Sequence, residues 1–108
     1  MKEVVVDQSQ ADRRVEVSVG QTVSVGLPEN ASTGYRWAVD RVDASVLALE
    51  RAQFTAGARP AMGTPGLRTF RFNVLAPGDT ELVLKRWREW EGENSVVERF
   101  AVSVHATA

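Results

Sequence analysis

Leu27-Pro28-Glu29-Asn30-Ala31-Ser32-Thr33-Gly34-Tyr35-Arg36-Trp37 sets a run of small, hydrogen-bonding residues between two segments of period two. Upstream, Val23, Val25 and Leu27 alternate with Thr22, Ser24 and Gly26; downstream, Tyr35, Trp37 and Val39 alternate with Arg36, Ala38 and Asp40. That is the pattern of strands with one face on a core. Pro28 has no amide to give to a central ladder, Asn30 and Ser32 bond readily to nearby backbone, and Gly34 takes positive φ without steric cost. The connection is too long for a two-residue hairpin, so it is predicted to cross between sheets and to present Thr33 on a rigid base. A loop that merely connects is the plainer alternative.

Working outward, strand-like runs recur at 3–7, 14–19, 21–27, 35–40, 47–54, 67–75, 80–88 and 95–105. Breakers separate them: Gly20, Pro28, Ala56-Gly57-Ala58-Arg59-Pro60, Ala76-Pro77-Gly78-Asp79 and Glu91-Gly92-Glu93-Asn94. The spacing predicts an all-β sandwich of about seven to eight strands. Helix is limited to one turn within 41–51, where Asp43 is placed to cap. Alternation assigns Val15, Val17, Val19, Val23, Val25, Leu27, Phe70, Phe72, Val74, Leu82, Leu84, Phe100, Val102 and Val104 to the core.

At 108 residues, with no repeat and no low-complexity linker, residues 1–108 read as a single domain, which buries roughly two thirds of its unfolded surface. The hydrophobic share of 44% contains no run of membrane-spanning length. A net charge of −1 with interspersed signs supplies no basic face for phosphate backbones. Neither nucleic acid nor membrane is therefore an expected partner. The absence of cysteine removes disulfides, thiolate zinc sites and a cysteine nucleophile together. Met1-Lys2-Glu3-Val4-Val5-Val6-Asp7 has too short an apolar core for a secretory signal, so the chain reads as cytoplasmic, or as mature after loss of a leader. A monomer is expected, with Val4-Val5-Val6 the segment that could pair at an exposed edge.

Two further loops stand out. The segment 55–66 is long, rich in glycine and proline, and carries Met62 as an adaptable apolar contact. Lys85-Arg86-Trp87-Arg88-Glu89-Trp90-Glu91-Gly92 holds two tryptophans and two arginines within five positions, the types most enriched at interface hot spots. Trp87 is expected in the core and Trp90, nearer the turn, in solvent. Catalysis finds no foothold. The single histidine, His105, has Ser103 and Thr107 as neighbours, a spacing that assembles no nucleophile and base, and no metal-ligand spacing exists. Glu89, Glu91 and Glu93 alternate as if on one strand face, among arginines that favour a solvated ion-pair surface. Gly63-Thr64-Pro65-Gly66 lacks the lysine and helix start of a phosphate loop. Neither enzyme activity nor a cofactor is expected.

In order and spacing, Asn30-Ala31-Ser32-Thr33-Gly34-Tyr35, then Gly63-Thr64-Pro65-Gly66 followed by Phe70, then an Arg-Trp segment after Leu82-Val83-Leu84, resemble the loop signature of the chagasin family of cysteine-peptidase inhibitors. The resemblance runs over about residues 20–104 and implies an immunoglobulin-like antiparallel β-sandwich that needs no disulfide. In the first loop Ala31 stands where the family has proline and Ser32 where it has threonine. Pro65 replaces a glycine in the second. The third, Arg-Pro-Trp in the family, aligns either as Arg86-Trp87 or as Arg88-Glu89-Trp90, the latter favoured by the following Glu91 and Gly92.

The resemblance implies reversible inhibition of a papain-like cysteine peptidase by three loops, at about 28–35, 56–66 and 86–94, that fill its cleft without being cleaved. Thr33 would lie near the catalytic cysteine. Trp90 or Trp87 would stack on one side of the cleft, and Gly63, Thr64, Pro65 and Gly66 would run along the other. The alternative is a non-inhibitory β-sandwich binding domain whose loops have drifted, with Ala31 and Pro65 as its support.

Overall fold

Eight strands run through the described residues, 3–56 and 65–108, of the computed structural model: β1 (Glu3–Val6), β2 (Arg14–Ser18), β3 (Thr22–Glu29), β4 (Arg36–Arg41), β5 (Leu47–Thr55), β6 (Gly66–Val74), β7 (Gly78–Trp87) and β8 (Glu98–Thr107). They form two four-stranded sheets, ordered β1-β3-β6-β5 and β2-β8-β7-β4. The chain between Glu29 and Arg36 therefore crosses from one sheet to the other, as its length predicts. Among the described residues, helix is confined to four 3-10 turns. Asp43 caps the single turn before β5, its Oδ1 accepting from the Ser45 amide at 3.0 Å and the Ser45 hydroxyl at 2.6 Å.

The architecture is an immunoglobulin-like sandwich, antiparallel except where β1 pairs parallel to β3 and β2 parallel to β8. The valine run 4–6 fills the β1 edge, with Val6 wholly buried and Val5 exposed.

Side chains from both inner faces meet in one apolar cluster. Val15, Val17, Val23, Val25, Leu27, Phe70, Phe72, Val74, Leu82, Leu84, Phe100, Val102 and Val104 all belong to it, as their alternation requires. Val19 does not. It is 39% exposed, just past the end of β2 at Ser18, where the strand's alternation no longer holds. Val6, Trp37, Val46, Leu47 and Ala106 complete the cluster.

Two segments depart from their sequence reading. Pro28 lies inside β3 instead of ending it, opposite Leu67 of β6. The reason is local: β1 accompanies β3 only as far as Val25, so past that point β3 has one open side where a missing amide costs nothing. Residues 89–95 do not continue a strand but form two 3-10 turns, Glu89–Glu91 and Glu93–Ser95, so the three glutamates share no strand face. Their expected pairing with basic residues does occur, Glu91 with Arg88 and Glu93 with Lys85 and Arg99.

Candidate functional site

The first loop is held by its own polar groups. Asn30 caps the 3-10 turn Ala31–Thr33, its Oδ1 accepting from the Ser32 amide at 3.0 Å and the Ser32 hydroxyl at 2.7 Å. The Thr33 hydroxyl donates to the Asn30 carbonyl at 3.0 Å and accepts from the Tyr35 amide at 3.2 Å. Gly34 then turns the chain with φ of 79°, a conformation that costs a residue with a Cβ about 1 kcal/mol or more. Ala31, Ser32 and Thr33 project into solvent as the exposed crest.

The third loop closes over the first. Arg88 follows β7 directly, and its Nη2 donates to the Thr33 carbonyl at 3.0 Å. Its guanidinium lies 4.3 Å from the centre of the Tyr35 ring, within cation-π range. Trp90 sits at the Gly34 turn, where a Cβ would come within 3.0 Å of its Cη2 atom. The indole is nevertheless 70% exposed. It is a large apolar surface in solvent, held in place by a 3-10 turn and by the Ser95 hydroxyl, which bridges the Arg88 and Gly92 carbonyls.

Arg86 and Trp87 occupy a different place, the last two residues of β7. Arg86 pairs with Glu98 at 3.2 Å. Trp87 is half-buried and outside the core cluster, contrary to its sequence assignment, with Lys85 Nζ 3.7 Å from its ring centre. The core tryptophan is Trp37. Glu93, 2.8 Å from Lys85 Nζ, holds that ammonium's pKa above its ordinary value.

Of the second loop, Gly63 and Thr64 lie outside the described residues, as does Met62. Pro65 is exposed, and Gly66 opens β6 directly opposite Glu29. The end of β5 pairs there too, Thr55 with Leu67. Both ends of the 56–65 connection thus emerge beside the start of the first loop. Gly66 tolerates no side chain, since a Cβ would meet the Phe54 ring and the Thr55 carbonyl oxygen, both at 2.5 Å.

Beneath the loops lies a pair that sequence reasoning passed over. Glu29, 2% exposed, accepts from Arg68 Nη2 at 2.6 Å and from the Trp37 amide at 2.7 Å. A signal for both was present. Glu29 continues the inward phase of Val23, Val25 and Leu27, and Arg68 that of Phe70 and Phe72, so each is a charge on a core row. An open groove of about 240 Å³ runs above them, lined by Gly34, Arg36, Trp37, Arg68, Trp87 and Trp90 among others.

The model of the Chagasin family peptidase inhibitor I42 matches residues 16–104 of this chain. The chain belongs to the chagasin family of peptidase inhibitors. Chagasin from Trypanosoma cruzi is 30% identical over 95 residues, covering 83% of this chain and 86% of its relative. A solved cysteine protease inhibitor from Entamoeba histolytica superposes with a TM-score of 0.86 at 22% identity, over 96% of this chain and 95% of that one. The structure of PbICP-C in complex with falcipain-2 follows the same fold, with a TM-score of 0.71 at 14% identity over 98% and 99% of the two chains. As a chagasin-family chain it is an inhibitor and not an enzyme.

Proposed function

We propose that this chagasin-family chain inhibits papain-like cysteine peptidases reversibly, by seating one end of its sandwich in the active-site cleft. The observation that carries the reading is the clasp between two loops distant in sequence: Arg88 bonded to the Thr33 carbonyl, and Trp90 packed at Gly34. It makes residues 30–35 and 88–92 one rigid crest beside the roots of the 56–65 connection. A crest ordered before binding loses little conformational entropy on docking, which is how an interface of ordinary size reaches tight affinity without covalent chemistry.

In this reading Asn30, Ala31, Ser32, Thr33, Gly34 and Tyr35 enter the cleft near the catalytic cysteine, presenting a turn with no scissile bond in register. Trp90 stacks on the cleft wall, with Arg88 as its support. Pro65 and Gly66 begin the segment that lies along the opposite wall, together with Gly63 and Thr64. Arg86 and Trp87 act from beneath as the end of β7. The Thr33 hydroxyl, bonded at both sides within its own loop, shapes the turn instead of reaching for the enzyme. Titrating the purified protein into papain and a cathepsin L-like enzyme with a fluorogenic substrate tests this. Stoichiometric, reversible loss of activity is expected, with the inhibitor recovered uncut; undiminished activity of both enzymes at micromolar inhibitor refutes it.

A further inference from the structure

We infer that Glu29 and Arg68 are a positioning pair that sets the inhibitory loops relative to one another, an inference that rests on the reading of those loops given above. The first loop begins on β3 of one sheet and ends on β4 of the other, so no backbone ladder fixes the distance between its two ends. One carboxylate does so instead. Glu29, the last residue of β3, takes the Trp37 amide of β4 on Oε1 at 2.7 Å. β4 is an edge strand, so this carboxylate supplies a partner that a neighbouring strand does not. Trp37 adds a second tie, its indole Nε1 donating to the Pro28 carbonyl at 2.9 Å.

The same carboxylate reaches β6, the strand that follows the second loop. Arg68 Nε lies 3.2 Å from both Glu29 oxygens and Nη2 lies 2.6 Å from Oε2, a forked pairing that fixes orientation as well as distance. Arg68 is the third residue of β6, and its guanidinium lies 5.1 Å from the centre of the Phe54 ring near the end of β5. Both flanks of the 56–65 connection are thus tied to the base of the first loop. Arg68 also lines the groove under Trp87 and Trp90.

A buried ion pair is a poor way to gain stability, because desolvation cancels most of the attraction and well-packed apolar residues of similar size do as well or better. What apolar residues cannot reproduce is direction. Along rows otherwise filled by valine, leucine and phenylalanine, the placement of this pair beneath the loops fits a role in geometry.

The test separates geometry from stability. In the double variant Glu29→Met with Arg68→Met, the melting temperature is expected to fall only slightly, because the ion pair itself is replaced at little cost and the loss is that of the Trp37 amide's acceptor. Amide exchange of Trp37 and of residues 30–35 in the free protein should nevertheless quicken about tenfold, and inhibition of papain should weaken about tenfold, because the loops must be ordered on binding. Glu29→Gln, which keeps an acceptor for the Trp37 amide, should recover part of the protection. Wild-type exchange in the double variant overturns the inference. Should the double variant fail to fold, Glu29→Gln decides: exchange in 30–35 that quickens more than exchange in the β7–β8 ladder supports positioning, and exchange that is unchanged, or that quickens equally in both, overturns it. The exchange measurement needs no peptidase, so a wild-type protein that inhibits nothing refutes the proposed function while this question is still answered.

Discussion

Arg88 donates to the carbonyl oxygen of Thr33 across 3.0 Å, joining residues 55 positions apart at the crest of the molecule. Nε of the same guanidinium also faces that oxygen, at 3.3 Å, and the group lies over Tyr35. A single side chain therefore holds the carbonyl of the first loop's exposed residue, the aromatic ring behind it and the start of the loop bearing Trp90.

Replacing Arg88 by alanine should raise the inhibition constant by about 1–2 kcal/mol, roughly five- to thirtyfold, the worth of a charged hydrogen bond with a cation-π contact. Arg88→Lys should recover only part of this, since an ammonium lacks the planar fork. Steady-state titration against papain measures both. Wild-type inhibition by Arg88→Ala would show that the clasp is ornamental.

Gly34 meets two constraints at once. Its φ is 79°, and an added Cβ would sit 3.0 Å from Trp90 Cη2. Gly34→Ala should lower stability by about 1–2 kcal/mol through backbone strain. It should also displace the indole, seen as a shift in tryptophan emission and as weaker inhibition. A variant equal to the wild type in emission and in inhibition would remove Trp90 from the Gly34 turn.

Trp37 and Trp90 should divide stability from binding. Trp37 is 6% exposed and bonded to Pro28, so Trp37→Ala should cost about 3–5 kcal/mol of folding stability, read from urea denaturation. Trp90 is 70% exposed. Trp90→Ala should leave the denaturation midpoint nearly unchanged and cost about 2 kcal/mol of inhibition if it anchors the interface. The reverse assignment of losses would contradict the site.

Most of the fold was legible because period two marks the inner face of each strand, and Val23-Val25-Leu27 or Phe70-Phe72-Val74 leave no second interpretation. What escaped depends on neighbours far away in sequence. Pro28 was read as a stop because whether a strand position has one partner or two is not a local property; β1 ends its pairing at Val25 and leaves room for it. The parallel pairing of β1 and β2 is non-local in the same way. Glu89, Glu91 and Glu93 mimic a strand's alternation, yet Gly92, with φ of 78°, breaks the segment into two turns. Around the candidate site, the cap at Asn30, the left-handed turn at Gly34 and the exposure of Trp90 near a turn were legible from turn chemistry. Glu29 and Arg68 were not recognised, although each continues an apolar row, because a charge at a strand's end is ordinarily solvated and only the pairing of Leu27 with Arg68 brings the two together.

Acid should destabilise the protein through carboxylates that cap turns. The Asp7 and Asp43 side chains each accept from the serine two residues on, both its amide and its hydroxyl, and these bonds hold their pKa values below the ordinary one. Hydrogen bonding from His105 lowers Asp79 likewise. A carboxyl group whose folded pKa is depressed contributes its stability above the unfolded value, about 4, and loses it as pH falls through the folded value. The melting temperature should therefore be nearly flat from about pH 7 to 5 and fall steadily below about pH 4. Asp43→Ala should lower the curve at neutral pH and make its acid limb shallower, because that group no longer takes up a proton on unfolding. Thermal denaturation followed by circular dichroism between about pH 2 and 7 reads both effects. An acid limb of Asp43→Ala as steep as that of the wild type would mean the cap contributes nothing to acid sensitivity.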